Sequence, residues 1–306
     1  MPEFDFAILN MLDHNRQGLA FKKYFLDRLA PVFFSPRVEH LIHFGDLGLS
    51  GCNVFLPLGV GNWKQLESGM RDHMWKKSEE ILQDFAVANM AADRRLKKAF
   101  GPGESVFPLV FGDNFIKALA AVLVRHIIER RQVDKLILVG NMPELLPLLD
   151  SLVVYGLPIS IQNQNPVRDE AIAWRLLYEK GWAVSNSYIS PENWNRGDLI
   201  ILFQPGYKRL AMASPGSFFL ELTDESRDLA PSLENALVRV GMDNSLPILA
   251  PILESILFTK AGILRCDAEK NYLNYKPEIK SGDDLAMLIE AGEQLGLWDP
   301  FRHGCC

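Results

Sequence analysis

Asp113 and Lys117 stand four residues apart in the stretch VFGDNFIKALAAVL, a spacing that puts a carboxylate and an ammonium on one face of a helix. A lysine held there can protonate or orient a substrate carbonyl, so the pair is the candidate for acid–base chemistry. The same spacing also describes an ordinary ion pair worth roughly 0.3 kcal/mol to the helix, and the sequence leaves both readings open. A second combination is His43 and Asp46 beside Cys52 in HFGDLGLSGC, where a thiol and an imidazole could form an activated nucleophile. Closeness in sequence is not closeness in space, and a histidine beside a strand with no chemical task is the other reading. The six histidines show no His-x-x-x-His or comparable ligand spacing, and no metal site is expected.

The elements that would position such groups are clearest from residue 134 onward. KLILVG, PISIQN, WAVSNS, DLIILFQPG and SFFLEL read as strands. They alternate with helical stretches, among them PELLPLLDSLVVYG, with Pro143 in its first turn, and PVRDEAIAWRLLYEKG, with Pro166 at its start and Gly181 at its end. Continuous apolar strands alternating with helices indicate a parallel sheet covered on both faces. In such a sheet ligands bind beyond the carboxyl ends of the strands. That rule selects Gly140 and Asn141 after the first strand, Asn163 and Asn165 after the second with Arg168 just inside the following helix, Ser185 after the third, and Gln204 after the fourth.

Those positions favour a dinucleotide only in part. A helix beginning at Pro143 or Glu144 would aim free N–H groups and its positive dipole end at the Gly140 loop, which suits a phosphate. Against this, the loop reads Gly140-Asn141-Met142-Pro143-Glu144: Met142 adds bulk where glycine normally lets the backbone approach a pyrophosphate, Pro143 removes a donor and Glu144 adds negative charge. The second strand ends in Gln162-Asn163-Gln164-Asn165 rather than in an acid for the ribose hydroxyls. Neutral amides with Arg168 suit a 2′-phosphate, so NADP is expected over NAD if either binds. The other reading is that these amides cap the next helix and tie down the loop.

The bulk properties narrow the field. The chain has 306 residues with 48% hydrophobic and 23% charged, ordinary for a globular protein of two compact domains or one large one. A net charge of -6 argues against a nucleic-acid partner, and no apolar run approaches the ~20 residues needed to cross a bilayer. The N-terminus MPEFDFAILNMLDHN lacks the basic opening of a secretory signal. Four cysteines (Cys52, Cys266, Cys305 and Cys306) match no zinc spacing and suit a reducing compartment, so a cytoplasmic location is expected.

Earlier in the chain, residues 1–34 carry apolar residues at helical spacing (Phe6, Leu9, Leu12, Phe21, Tyr24, Phe25, Leu29), and 63–99 reads as one long helix. Between them EHLIHF and CNVFLPL read as strands, GPGESV breaks the chain at 101–106, and FPLVF is a further strand. Three places together carry a family resemblance: VFGDNFIKALAAVL (110–123), KLILVGN (135–141) and VGMDNSLPILAPILESILF (240–258). In the order of elements from 35 to 262 the chain resembles the two-domain amino-acid-dehydrogenase-like group, especially the long-chain acyl-[acyl carrier protein] reductases, with a degenerate dinucleotide loop. The resemblance implies a Rossmann-like domain and carries over Gly112, Asn114 as part of a cleft wall, and Gly140. It supplies no catalytic cysteine, since Cys266 follows the final helix and Cys52 lies in the wrong segment.

The expectation is therefore an α/β protein: an N-terminal α/β domain with a helical start over 1–131, a Rossmann-like parallel-sheet domain over 132–262, and a C-terminal extension over 263–306. The extension, with one helix near 283–296, either packs on the first domain or makes a homodimer contact. Two functions stay open. One is a Rossmann-like protein with lost or altered dinucleotide binding that takes a small-molecule ligand or a partner. The other is an NADP-dependent oxidoreductase acting on a carbonyl or imine held between the domains.

Overall fold

The computed structural model describes residues 3–18, 22, 27, 33–100, 109–213, 216–263, 279 and 281–303. Along the chain run β1 (Phe6–Leu12), β2 (Arg37–Phe44), β3 (Leu49–Gly59), α1 (Val60–Gln65), α2 (Ser68–Asp84), β4 (Met90–Ala92) and β5 (Leu109–Val110). Next come α3 (Asp113–Ile128), β6 (Lys135–Val139), α4 (Leu146–Leu152), β7 (Ile159–Asn163), α5 (Glu170–Lys180), β8 (Val184–Tyr188), β9 (Asp198–Leu202), α6 (Lys208–Ala213) and β10 (Phe218–Glu221). The last described elements are α7 (Pro231–Arg239), α8 (Leu246–Lys260), α9 (Gly282–Gln294) and α10 (Asp299–His303). Two compact units result, one from Met1–Gly112 with Ser232–Glu278 and one from Asp113–Pro231 with Ile279–Cys306. The division falls elsewhere than the boundaries expected at 131/132 and 262/263: α3 goes with the second unit, while α7 and α8 return to the first.

The first unit is built on the sheet β2-β3-β1-β4-β5, in which β2 runs antiparallel to β3 and the other pairings are parallel. The expected helical start is corrected here, because Phe6–Leu12 is a central strand. FAILNML is buried along most of its length, and a short strand covered on both faces has no two-residue alternation to distinguish it from a buried helix. The rest of that expectation, from Phe21 to Leu29, lies outside the described residues. The long helix expected over 63–99 is also divided. It breaks between Gln65 and Ser68, ends at Asp84 with Ala86 at φ 55°, and gives way to β4, whose Met90-Ala91-Ala92 pair with β1 and β5. Alanine favours helix, but a fully buried slot in the sheet overrides that preference. Trp63, Trp75 and Phe100 pack edge to face in this core at centroid distances of 5.1–5.8 Å. Gly112, at φ 83°, lies where a Cβ would come within 2.7 Å of the Ala250 Cβ on α8.

The second unit carries five parallel strands in the order β10-β9-β6-β7-β8. Renumbered within the unit this is 5-4-1-2-3, the doubly wound Rossmann order read from the far edge, without a sixth strand among the described residues. Ile137, Val139, Ile200 and Leu202 form the buried centre with Trp194 and Ala211. Residues 281–303 belong to this unit, not to the first domain on which packing was one expectation. Helix α9 opens with a capping box between Ser281 and Asp284 and packs on α3 and α4. Trp298 stacks on Phe115 of α3 at 5.5 Å, and Phe301 lies 5.6 Å from the same ring.

Candidate functional site

In the second unit the chain leaves β6 toward α4 and β7 on one side, and leaves β9 toward β10 on the other. The carboxyl ends of β6 and β9 therefore form the topological switch point, where a ligand crevice is expected in a sheet of this order. Gly140 and Gln204 meet there. The Gly140 N–H donates to the Gln162 carbonyl at 2.8 Å, and the Val139 carbonyl accepts from Phe203 N–H at 2.9 Å. Gly140 sits at φ 101°, and a Cβ on it would lie 2.6 Å from the Gln204 Cβ. Its glycine character thus lets two protein loops approach each other. Asn141 is exposed beside it.

The loop then departs from the form expected. Helix α4 begins at Leu146, not at Pro143 or Glu144, and the proline in its first turn is Pro147. Pro143 and Glu144 form a turn, with Glu144 in the left-handed region at φ 51°. Two prolines remove two donors from the stretch that would face a phosphate, and a seven-residue helix offers little dipole to replace them. Met142 also plays a different part: it is buried at 5% exposure and so is packed against protein, not presented to solvent. Met142→Ala is accordingly expected to cost at least about 2 kcal/mol of stability, read as a lower urea midpoint. An unchanged midpoint would show that the side chain is not packed as described.

Beneath this loop lies Lys117. Its side chain is fully buried in α3, and its Nζ lies 3.4 Å from the Glu144 carbonyl oxygen and 3.9 Å from Glu144 Oε2. The structure thus brings Lys117 to a carboxylate 27 residues away as well as placing it one helical turn after Asp113, the first residue of α3. A buried ammonium needs a nearby carbonyl or carboxylate, because removing it from water is costly. Glu144, half exposed, supplies both. No local signal in the sequence pairs positions 117 and 144.

At the end of β7 the amides are largely engaged by their own loop. Asn163, fully buried, donates from Nδ2 to Asp169 Oδ2 and accepts at Oδ1 from Asn165 N–H at 2.7 Å. Gln162 Oε1 accepts from Trp194 Nε1 at 3.0 Å and from Ser190 N–H at 3.2 Å. Asn165 and Arg168 are exposed past the strand end. Ser185 lies within β8, paired in register with Ser160, because that strand continues to Tyr188 and its carboxyl end is three residues further on. Burial pushes the Asp169 carboxyl above its ordinary range, while Arg168 and the Asn163 hydrogen bond pull it down. An acid raised in the folded state contributes stability below its unfolded pKa and loses it as pH rises through the folded value. Asp169→Asn keeps an acceptor for Asn163 and removes that loss. It is expected to gain stability relative to the parent near pH 7 and to show no gain near pH 3, as measured by urea midpoints at the two pH values.

The remaining candidates separate. Cys52 is fully buried, burial pushes its thiol up to about 12, and His43 is exposed. A thiol held protonated is no nucleophile at neutral pH, so the Cys–His reading is set aside. Cys266, Cys305, Cys306 and the GPGESV break lie outside the described residues. Among the described residues no three His, Cys, Asp or Glu side chains cluster to hold a metal, and no helix is long and apolar enough to cross a membrane.

Strand order and switch point together define a Rossmann-like α/β unit in a chain that also carries a second α/β unit. No family model matches the chain, and no curated protein matches it in sequence. Among solved structures it is similar at 11% identity to L-tryptophan dehydrogenase from Nostoc punctiforme, covering 99% of this chain and 87% of that one with a TM-score of 0.46. It is also similar at 11% identity to a chorismate mutase/shikimate 5-dehydrogenase fusion protein from Clostridium acetobutylicum, with 97% and 99% covered and a TM-score of 0.35. A third, 5-ketofructose reductase of Gluconobacter sp. strain CHM43, has 11% identity, 95% and 98% coverage and a TM-score of 0.31. At such scores the fold class stands on the strand order described above. The narrower resemblance, to acyl-[acyl carrier protein] reductases, stays with the sequence pattern alone.

Proposed function

We propose that the second unit is a Rossmann-like scaffold whose switch point does not take a dinucleotide in the usual pose and instead serves a different small ligand. The observation that carries this reading is the Lys117–Glu144 contact under the loop after β6. It places a carboxylate where a pyrophosphate would need positive charge and free N–H groups. The Gly140 N–H is already given to Gln162, Pro143 and Pro147 have none, and α4 starts too late to present its first turn. These residues do not fit a pyrophosphate.

One observation favours the second reading, an NADP-dependent oxidoreductase acting on a carbonyl or imine. Arg168 and Asn165 are exposed past the end of β7, where a 2′-phosphate is held in sheets of this order. In that reading Lys117, with Asp113 one turn before it, would be the acid–base group. Calorimetric titration of the full chain with NADPH, NADP, NADH and NAD separates the two. The expected result is no saturable binding of any of the four at millimolar concentration. Saturable binding of the two phosphorylated cofactors alone, lost in Arg168→Ala, would establish the oxidoreductase reading instead.

A further inference from the structure

Lys117 and Glu144 differ sharply in their freedom to move. The ammonium is sealed in α3 at 0% exposure, whereas the Glu144 side chain is 49% exposed and can turn out into water by bond rotation alone. The Glu144 backbone at φ 51° is also an arrangement that a non-glycine residue rarely adopts, and it is held in a turn between two prolines. The buried cation is thus a fixed feature of the switch point, and the carboxylate is the exchangeable one. We propose that Glu144 is an internal anion seated on Lys117, and that it is the residue determining which external anions this crevice accepts.

This inference deepens the reading above and rests on it: the site that refuses a pyrophosphate does so chiefly because its own carboxylate is already there. The ligand class follows from the chemistry of the seat. A compact anionic group, carboxylate or phosphate, would approach Lys117 when Glu144 swings outward, and the protein charge it displaces would go to solvent. In an interior of low dielectric one ammonium attracts one anion strongly, and two anions competing for it repel each other. Glu144 therefore raises the concentration at which any external anion binds, and neutralising it lowers that concentration.

The test uses inorganic pyrophosphate and acetate as probes on the full chain, by calorimetry at fixed ionic strength. Glu144→Gln removes the charge and keeps the side-chain shape, and Glu144→Gly relieves the left-handed backbone besides. Both variants are expected to bind pyrophosphate on the order of tenfold more tightly than the parent, the factor that loss of one counterion to a buried charge can produce. The gain is expected to vanish in Glu144→Gln combined with Lys117→Met, a replacement that fills the same volume without charge. Either of two outcomes overturns the inference: folded Glu144 variants no tighter than the parent, or a gain that survives Lys117→Met. Acetate tightening alongside pyrophosphate would define a general anion seat, and pyrophosphate alone a phosphate seat; both support the inference. Binding of NADPH to the parent, with Glu144→Gln unchanged in pyrophosphate affinity, sinks both readings. Binding of NADPH to the parent together with a tenfold gain in the variant sinks only the proposed function.

Discussion

Trp298→Ala is expected to lower the unfolding free energy by about 3–5 kcal/mol, the range for removing a large buried aromatic side chain. The indole is completely buried, lies 5.5 Å from the Phe115 ring in a stacked arrangement, and donates from Nε1 to the Ile289 carbonyl at 2.9 Å. Gly292 on α9 packs so closely against it that any Cβ there would overlap the indole. Truncation therefore opens a cavity bounded by α3, α9 and α10, and leaves the Ile289 carbonyl without its indole donor. Against a typical total of about 5–15 kcal/mol, such a loss leaves the second unit marginal. Urea denaturation followed by circular dichroism should show a clearly lower midpoint, with Trp174→Ala as the control. Trp174 is half exposed on α5, and its truncation is expected to change stability by no more than about 0.5 kcal/mol. If both variants unfolded at the same midpoint, residues 281–303 would not be anchored to α3 in the way described.

That anchoring marks where the sequence could and could not be read. The parallel sheet was legible because KLILV, ISIQN and DLIIL are buried on both faces and must be apolar throughout, which leaves unbroken runs between helices. The switch-point rule then put Gly140 and Gln204 at one edge without any motif, and the two residues touch. The same property that revealed those strands concealed β1. Phe6–Leu12 is an equally buried run, and its Phe6, Leu9 and Leu12 fit a helical period by coincidence. β4 was hidden by its brevity and its alanines.

At the site, the missing information was spatial rather than chemical. Glu144 reads as an isolated negative charge and Lys117 as half of a local pair; only folding places the ammonium under the loop. Met142 reads as bulk in the crevice because no pattern says which way a loop residue turns. Asn163 stands at a strand end, but its side chain binds Asp169 and the Asn165 N–H and so ties down its own loop, while neither following helix start is capped by a side chain.

Gly140→Ala is expected to destabilise the second unit almost as severely as Trp298→Ala, and for two separable reasons. At φ 101° an L side chain is strained, which costs about 1–2 kcal/mol wherever it occurs. In addition the new methyl would lie 2.6 Å from the Gln204 Cβ and 3.0 Å from its backbone nitrogen, forcing the loops after β6 and β9 apart at a further cost of about 1–3 kcal/mol. Those loops are also joined by the Phe203 N–H to Val139 carbonyl bond, so relief by separation would stretch a sheet hydrogen bond. A double-mutant cycle with Gln204→Gly isolates the side-chain part of the overlap, because it removes the 2.6 Å contact with the Gln204 Cβ and leaves the 3.0 Å contact with the backbone nitrogen and the backbone strain untouched. The pair should therefore be more stable than the sum of the single changes by about 1 kcal/mol or more, measured by urea midpoints. Strict additivity would mean that the Gln204 side chain does not press on a methyl at position 140. A favourable coupling would establish that the loops after β6 and β9 pack against each other through Gly140 and the Gln204 Cβ.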